Sequence, residues 1–215
     1  MLFQRQDSNE SYEAMRWHMV DRQIVARGVR DERVLEAMRQ VPRHEFVDPH
    51  YWDVAYTDHP LPIAGGQTIS QPYIVAYMSE LLAVRASDRV LEIGTGCGYQ
   101  TAILACLAAE VYSVEYLQEL SAQAEERLEK YVNVHLKVGN GWEGWIEHAP
   151  YDRILVTCAA DHIPEYLLSQ LSEGGRVVIP MGENSQRLVI FTKRGENYIQ
   201  DDDIAVRFVP MVDSD

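Results

Sequence analysis

The chain of 215 residues carries no C-x-x-C pair and only three cysteines, Cys97, Cys106 and Cys158. An odd number without that spacing excludes a disulfide framework and a zinc knuckle, and it fits a reducing compartment. The opening residues MLFQRQDSNE hold no apolar signal core, and no apolar run reaches the length of a bilayer span. The expectation is therefore a cytoplasmic chain with no membrane attachment. A basic stripe is missing too. With 19 Lys and Arg against 33 Asp and Glu, a net charge of -14 and a pI near 4.9, nucleic acid and anionic lipid are excluded as main partners. His44, His50 and His59 show no zinc-ligand spacing, so no metal is expected. No G-x-x-x-x-G-K-[ST] phosphate loop occurs, and no convincing Ser/His/Asp set. The [DN]-P-P-[YF] motif of base amino-methylation is absent where TCAAD stands.

What is present suffices for one domain with a full core, since 47% of the residues are apolar. Residues 1–10 are polar and read as a flexible tail. Residues 11–83 read as N-terminal helices and a substrate loop, and residues 84–215 as a nucleotide-type core. Helical spacing runs from Ser11 to Arg27, with Gly28 as a stop. RDERVLEAMRQV predicts a second helix with Val34, Leu35 and Met38 on one face, ending before Pro42. Residues 42–70 mix Pro, Gly and aromatic residues and predict a long binding loop or lid.

Beyond it, seven strand-like runs alternate with helices: RVLEIG, EVYSVE, VNVHLKVG, DRILVTCA, GGRVVIPMG, QRLVIFTKRG and IAVRFVPMV. Alternation of this kind predicts an α/β fold, a doubly wound and mostly parallel seven-stranded sheet. The last two runs have no helix between them and should pair antiparallel.

The glycine loop VLEIGTGCGY lies between a predicted strand and helix. Its spacing is E-x-G-x-G-x-G, with Glu92, Gly94, Gly96 and Gly98, and Tyr99 stands where a dinucleotide loop needs its third glycine. Glycines there allow positive φ and close approach of a ligand, although such a loop is also compatible with a plain turn. Glu115 ends the next strand, where an acid can accept both ribose hydroxyls, or can simply face solvent. Asn140 and Gly141 follow the third strand, where a carboxamide could meet an adenine amino group, or a simple turn could form. Ribose and adenine contacts without a phosphate-binding lysine suit S-adenosylmethionine. Ser70, two residues before Pro72, reads locally as a helix cap.

Taken with the blocks MVDRQIVARGV, VPRHEFV, QTISQPYIVAYMSELL, YDRILVTCAA, GGRVVIPMG and VRFVPM, the chain resembles class I S-adenosylmethionine-dependent methyltransferases with a Rossmann-like core. More narrowly, it resembles the protein-L-isoaspartate (D-aspartate) O-methyltransferases, from about Met19 onward. The resemblance implies methyl transfer to the α-carboxylate of L-isoaspartyl residues in damaged peptides, with D-aspartyl residues as a further candidate substrate. It implies that Glu92, Gly94, Thr95, Gly96 and Gly98 line the methionine end of the cofactor. Glu115 would hold the ribose, and Asn140 with Gly141 the adenine. Thr68 would touch both cofactor and substrate, and Ile69, Ser70 and Val209 would touch substrate, with Ser70 at the active-site position. A monomer acting on isoaspartyl peptides and proteins is expected. Two alternatives stand beside repair: methylation of one dedicated peptide, and a non-catalytic cofactor-binding regulator. The family usually has aspartate where Asn140 stands, and the loop Cys158–Asp161–His162 also departs from its pattern.

Overall fold

A computed structural model describes the backbone of residues 2–212 and the side chains of residues 11–212. The first helix, α1 (Leu2–Met19), starts well before Ser11. Residues 2–10 lack apolar periodicity, which hides this part of the helix in the sequence. Their Gln, Arg and Glu are nonetheless good helix formers. A wide π turn (Val20–Ile24) and a 3-10 turn (Val25–Arg27) follow and end at Gly28, the expected stop, with φ of 103°. In α2 (Glu32–Gln40), Asp31 caps the start by accepting from the Arg33 N–H at 2.9 Å, and Val34, Leu35 and Met38 are buried as expected.

The 42–70 stretch is more ordered than its composition suggests. It contains 3-10 turns at Arg43–Phe46, Pro49–Val54 and Ala64–Gly66, and a small antiparallel ladder of β1 (Leu61–Pro62) with β2 (Thr68–Ile69). Its organising residue is Arg43, which is fully buried. The guanidinium donates to the carbonyls of Ala55 at 2.8 Å and His59 at 3.4 Å and lies over the Tyr99 ring.

Next come α3 (Pro72–Leu82), β3 (Arg89–Ile93), α4 (Tyr99–Leu107), β4 (Glu110–Glu115), α5 (Gln118–Leu128), β5 (Val134–Val138), β6 (Tyr151–Val156) and α6 (Glu165–Ser169). The chain continues through β7 (Leu171–Met181), β8 (Gln186–Arg194) and β9 (Asn197–Val206). Seven strands form one sheet in the order β5-β4-β3-β6-β7-β8-β9. The first five in that order are parallel, and β8 and β9 are antiparallel, as the missing helix between them requires. Side chains alternate between the two faces. Val90, Val111, Leu155 and Val178 pack toward α1 to α5, while Leu91, Ile154 and Val177 pack toward α6 and the Trp142–Trp145 turn.

The last strand differs from the sequence reading. IAVRFVPMV was expected to be the strand, yet β9 runs from Asn197 through the acidic run Asp201–Asp203 and ends at Val206. The cause is the turn. Arg194 pairs with Asn197, leaving a loop of Gly195 and Glu196 alone, with Gly195 at φ of 60°. Such a tight hairpin forces pairing to begin at once. β9 is an edge strand, and three aspartates there discourage pairing with other chains.

Candidate active site

The strand order reverses between β3 and β6, which opens a crevice at their carboxyl ends. Three turns meet there. The first is the glycine loop after β3, where Gly94, Gly96 and Gly98 take φ values of 93°, 55° and 89°. At Gly94 a Cβ would lie 2.5 Å from Thr157 Oγ1. That hydroxyl donates to the Gly94 carbonyl at 2.6 Å, so the two strand ends approach more closely than any side chain would permit.

Glu115 supplies the second turn. Its Oε2 accepts from the Gly96 N–H at 2.8 Å and its Oε1 from the Leu117 N–H at 2.9 Å. The carboxylate thus ties the glycine loop to the start of α5. Each oxygen retains a further lone pair, so Glu115 can still accept a ribose hydroxyl.

The third turn is Asn140–Gly141. Asn140 Oδ1 accepts from the Trp142 N–H at 3.0 Å, which holds the turn and leaves the oxygen one further lone pair. An aspartate would accept the same N–H, and the departure from the family pattern preserves the turn. The wall beside it is Gly141, where a Cβ would meet Ile93 Cγ2 at 2.5 Å.

Together these turns bound a groove of about 580 Å³ that opens to solvent. It brings together Thr68, Gly94, Gly96, Glu115, Gly141 and Val209. A second hollow of about 430 Å³ is lined by Ile69, Ser70 and Thr95. The two share Thr68, Gly94, Gly96 and Thr157.

Three residues expected at the cofactor line neither space: Glu92, Gly98 and Asn140. Gly98 serves as the N-cap of α4. Glu92 shares the strand face of Val90, while its neighbour Ile93 lines the groove. Its carboxyl is fully buried and accepts from Thr101 Oγ1 at 2.5 Å and Ser113 Oγ at 2.6 Å. Burial pushes it up to about 7; the two hydroxyl bonds hold it back, and nearby Glu115 adds to the rise. The Ser113 and Thr95 hydroxyls lie 2.6 Å apart, so Glu92 reaches the loop from behind.

Ser70 does not cap α3. The N-cap of α3 is Gln71, without a side-chain cap bond, and Pro72 takes the first turn. The Tyr73 N–H is met instead by Asp58 Oδ1 at 3.3 Å. Ser70 is half-buried on the wall of the second hollow.

Sequence reasoning passed over Tyr116, Leu117, Leu120, Thr157 and Met211, all of which line the groove. Leu117 and Leu120 could have been found, since both follow Glu115 closely at the start of α5. Cys158 lies there as well. Burial pushes its thiol up to about 12, with Glu115 adding in the same direction, so it stays protonated and is a poor nucleophile.

The groove fits a phosphate-free nucleoside cofactor. Among the described residues, its lining holds no lysine or arginine, one strand-end carboxylate, and apolar walls from Ile93, Leu117, Leu120 and Met211. The sequence model of the protein-L-isoaspartate(D-aspartate) O-methyltransferase (PCMT) family matches residues 14–215. The chain belongs to this family. It is 56% identical over 200 residues to the protein-L-isoaspartate O-methyltransferase of Picosynechococcus sp., covering 92% of this chain and 90% of that one. It is 54% identical over 199 residues to protein-L-isoaspartate O-methyltransferase 2 of Pelobacter propionicus, covering 90% and 88%. Among solved structures, a PCMT from Plasmodium falciparum in complex with S-adenosyl-L-homocysteine superposes with a TM-score of 0.81 at 25% identity. That match covers 92% of this chain and 98% of the other. A second protein-L-isoaspartate O-methyltransferase superposes at 0.80 with 30% identity, and the match covers 93% of this chain but 65% of that one.

Proposed function

We propose that this PCMT-family chain transfers a methyl group from S-adenosylmethionine to the α-carboxylate of L-isoaspartyl residues in damaged proteins and peptides. The backbone amide nitrogen of the next residue then attacks the ester carbonyl and expels methanol, closing a succinimide, which water reopens in part to normal aspartate. The observation that carries this reading is the shared wall of the two spaces. Thr68, Gly94, Gly96 and Thr157 border both the nucleoside groove and the hollow that holds Ser70. A peptide carboxylate in the second space would thus face the reactive end of a cofactor in the first.

When bound, S-adenosylmethionine supplies a methyl group on a cationic sulfonium that leaves as a neutral thioether. A carboxylate is already ionised at neutral pH, its pKa being about 4, so no residue has to take a proton. The task left to the chain is orientation and exclusion of water, which is worth about 7–11 kcal/mol in well-aligned systems. A neutral hydroxyl orients a carboxylate with little loss of its nucleophilicity, and we assign that role to Ser70. Glu115 is assigned to the ribose and Gly141 with the apolar wall to the adenine; Val209, expected beside the substrate, lines the cofactor groove and not the second hollow, and is assigned to that wall. The same reading places a monomer in the reducing cytoplasm.

The direct test is methyl transfer to an isoaspartyl peptide and to its aspartyl twin. Methylation of the first alone is expected; methylation of neither, with cofactor bound, overturns the assignment. Ser70→Ala should lower kcat by roughly hundredfold, the scale of loss when a single orienting or stabilising group is removed. Because Ser70 does not cap α3, the melting temperature should hardly change.

A further inference from the structure

Ser70 stands between β2 and α3, and its placement depends on what fixes the start of that helix. The first N–H groups of a helix have no partner inside it. At α3, Pro72 has no N–H to offer, and the Gln71 side chain makes no cap bond. The partner comes from another part of the chain. Asp58 Oδ1 accepts from the Tyr73 N–H at 3.3 Å, and Asp58 Oδ2 accepts from Gln71 Nε2 at 2.7 Å. The Asp58 carbonyl accepts from the same amide at 3.0 Å. One residue therefore holds both positions that follow Ser70 closely, 71 and 73.

Asp58 is itself held on two sides. Arg27 donates to Oδ2 at 2.7 Å, and its guanidinium lies 3.5 Å from the centroid of the Tyr73 ring, so it clasps the same helix start. Behind Asp58, buried Arg43 bonds the carbonyls of Ala55 and His59, one on each side of it. On the other flank of Ser70, the ladder of Leu61 with Ile69 and Pro62 with Thr68 fixes the chain. A carboxylate near a helix N-terminus is also favoured by the helix dipole.

We propose that Asp58 is the positioning residue of the Ser70 segment: from the substrate loop it sets the height and direction at which the Ser70 hydroxyl meets the peptide carboxylate. This rests on the methyl transfer proposed above. Asp58 touches neither the groove nor the second hollow and acts only through Ser70 and its neighbours.

The test is a double-mutant cycle of Asp58→Asn and Ser70→Ala. The readouts are kcat on an isoaspartyl peptide, the affinity for S-adenosyl-L-homocysteine, and the melting temperature. In the parent background Asp58→Asn is expected to lower kcat roughly tenfold, since small misplacement of an orienting group costs that much or more. In the Ser70→Ala background the same change should cost less than about twofold, because the group it positions is gone. Cofactor affinity should stay within about twofold, as the Glu115 and glycine-loop contacts do not involve Asp58. Gln71→Met leaves Asp58 paired with Arg27 and should lower kcat in the same direction, with the same loss of effect beside Ser70→Ala. An equal fold-loss in both backgrounds, or a parallel loss of cofactor affinity, would mean a general structural role and overturn the proposal. So would an Asp58→Asn variant with parental kcat. If the parent protein methylates no isoaspartyl peptide, the methyl-transfer reading itself fails, and that outcome shows in the parent before any variant is made.

Discussion

Glu92 is a carboxyl with no water contact, and two hydroxyls meet only one of its oxygens. Burial favours its neutral form, which is why it titrates near 7 rather than near 4.5. The consequence for stability has a definite sign. Below the unfolded value both states carry the proton and Glu92 costs nothing. As pH rises from about 4.5 to about 7, the unfolded chain has lost its proton and the folded chain still holds it, so stability falls; above 7 the full cost is present. At about 1.4 kcal/mol per pH unit, the ceiling is on the order of 3 kcal/mol. Glu92→Gln should match the parent in melting temperature near pH 4.5, exceed it increasingly up to pH 7, and then hold a constant lead. Thermal melts across that range check this, and a difference that ignores pH would contradict it. The residue type was legible in the sequence, but its direction was not. The spacing E-x-G-x-G-x-G suggested a cofactor contact, whereas strand alternation sends position 92 to the face opposite Ile93. Asn140 serves a turn as well, since its carboxamide oxygen accepts from the Trp142 N–H and keeps one further lone pair.

After β9 the backbone leaves the sheet and returns to the crevice. Val209 accepts from the Ala159 N–H at 2.8 Å and Met211 donates to the Ala159 carbonyl at 2.7 Å, a parallel bridge beside the groove. Gln186, at the start of β8, redirects the chain. Its side-chain amide takes both sides of Phe208, accepting from the N–H at 2.6 Å and donating to the carbonyl at 3.2 Å. This clasp replaces a ladder pair just past the last register match, Gln186 with Val206. Gln186→Leu removes two hydrogen bonds, each worth about 0.5–1.5 kcal/mol, from a segment that has few others. Hydrogen exchange at the Met211 amide should then accelerate roughly tenfold, and affinity for S-adenosyl-L-homocysteine should fall, since Val209 and Met211 line the cofactor groove. Unchanged exchange at Met211 would show that the bridge to Ala159 suffices alone. Val209 beside the site was legible in the VRFVPM block, but the Gln186 clasp was not. The apolar content of VRFVPM predicts strand and does not reveal that a two-residue turn has fixed the register upstream.

For the molecule as a whole, the alternating pattern from Arg89 onward was enough to give a parallel α/β sheet with an antiparallel end, since most connections there join neighbouring strands and only the link from β5 to β6 crosses the sheet. The 42–70 stretch was not legible in the same way. Its order comes from distant partners: Arg43 beneath Tyr99, and Asp58 against Arg27, Gln71 and Tyr73. The charge of the molecule was readable from the start, and it has a consequence for substrate choice. A net charge of -14 sets up a negative field around a site whose proposed substrate carries a carboxylate. Residues flanking the isoaspartate then decide whether the peptide is repelled or drawn in. Peptides with lysine-rich flanks should show a kcat/KM several-fold above otherwise identical peptides with glutamate-rich flanks at about 10 mM salt, where the screening length is about 30 Å. At about 1 M salt, where it is about 3 Å, the two should converge. The effect belongs to association, so kcat should differ little between the two peptides at either salt concentration. A preference that survives high salt would point to local contacts at the groove rim, and a preference for acidic flanks would rule out the field as the selecting agent.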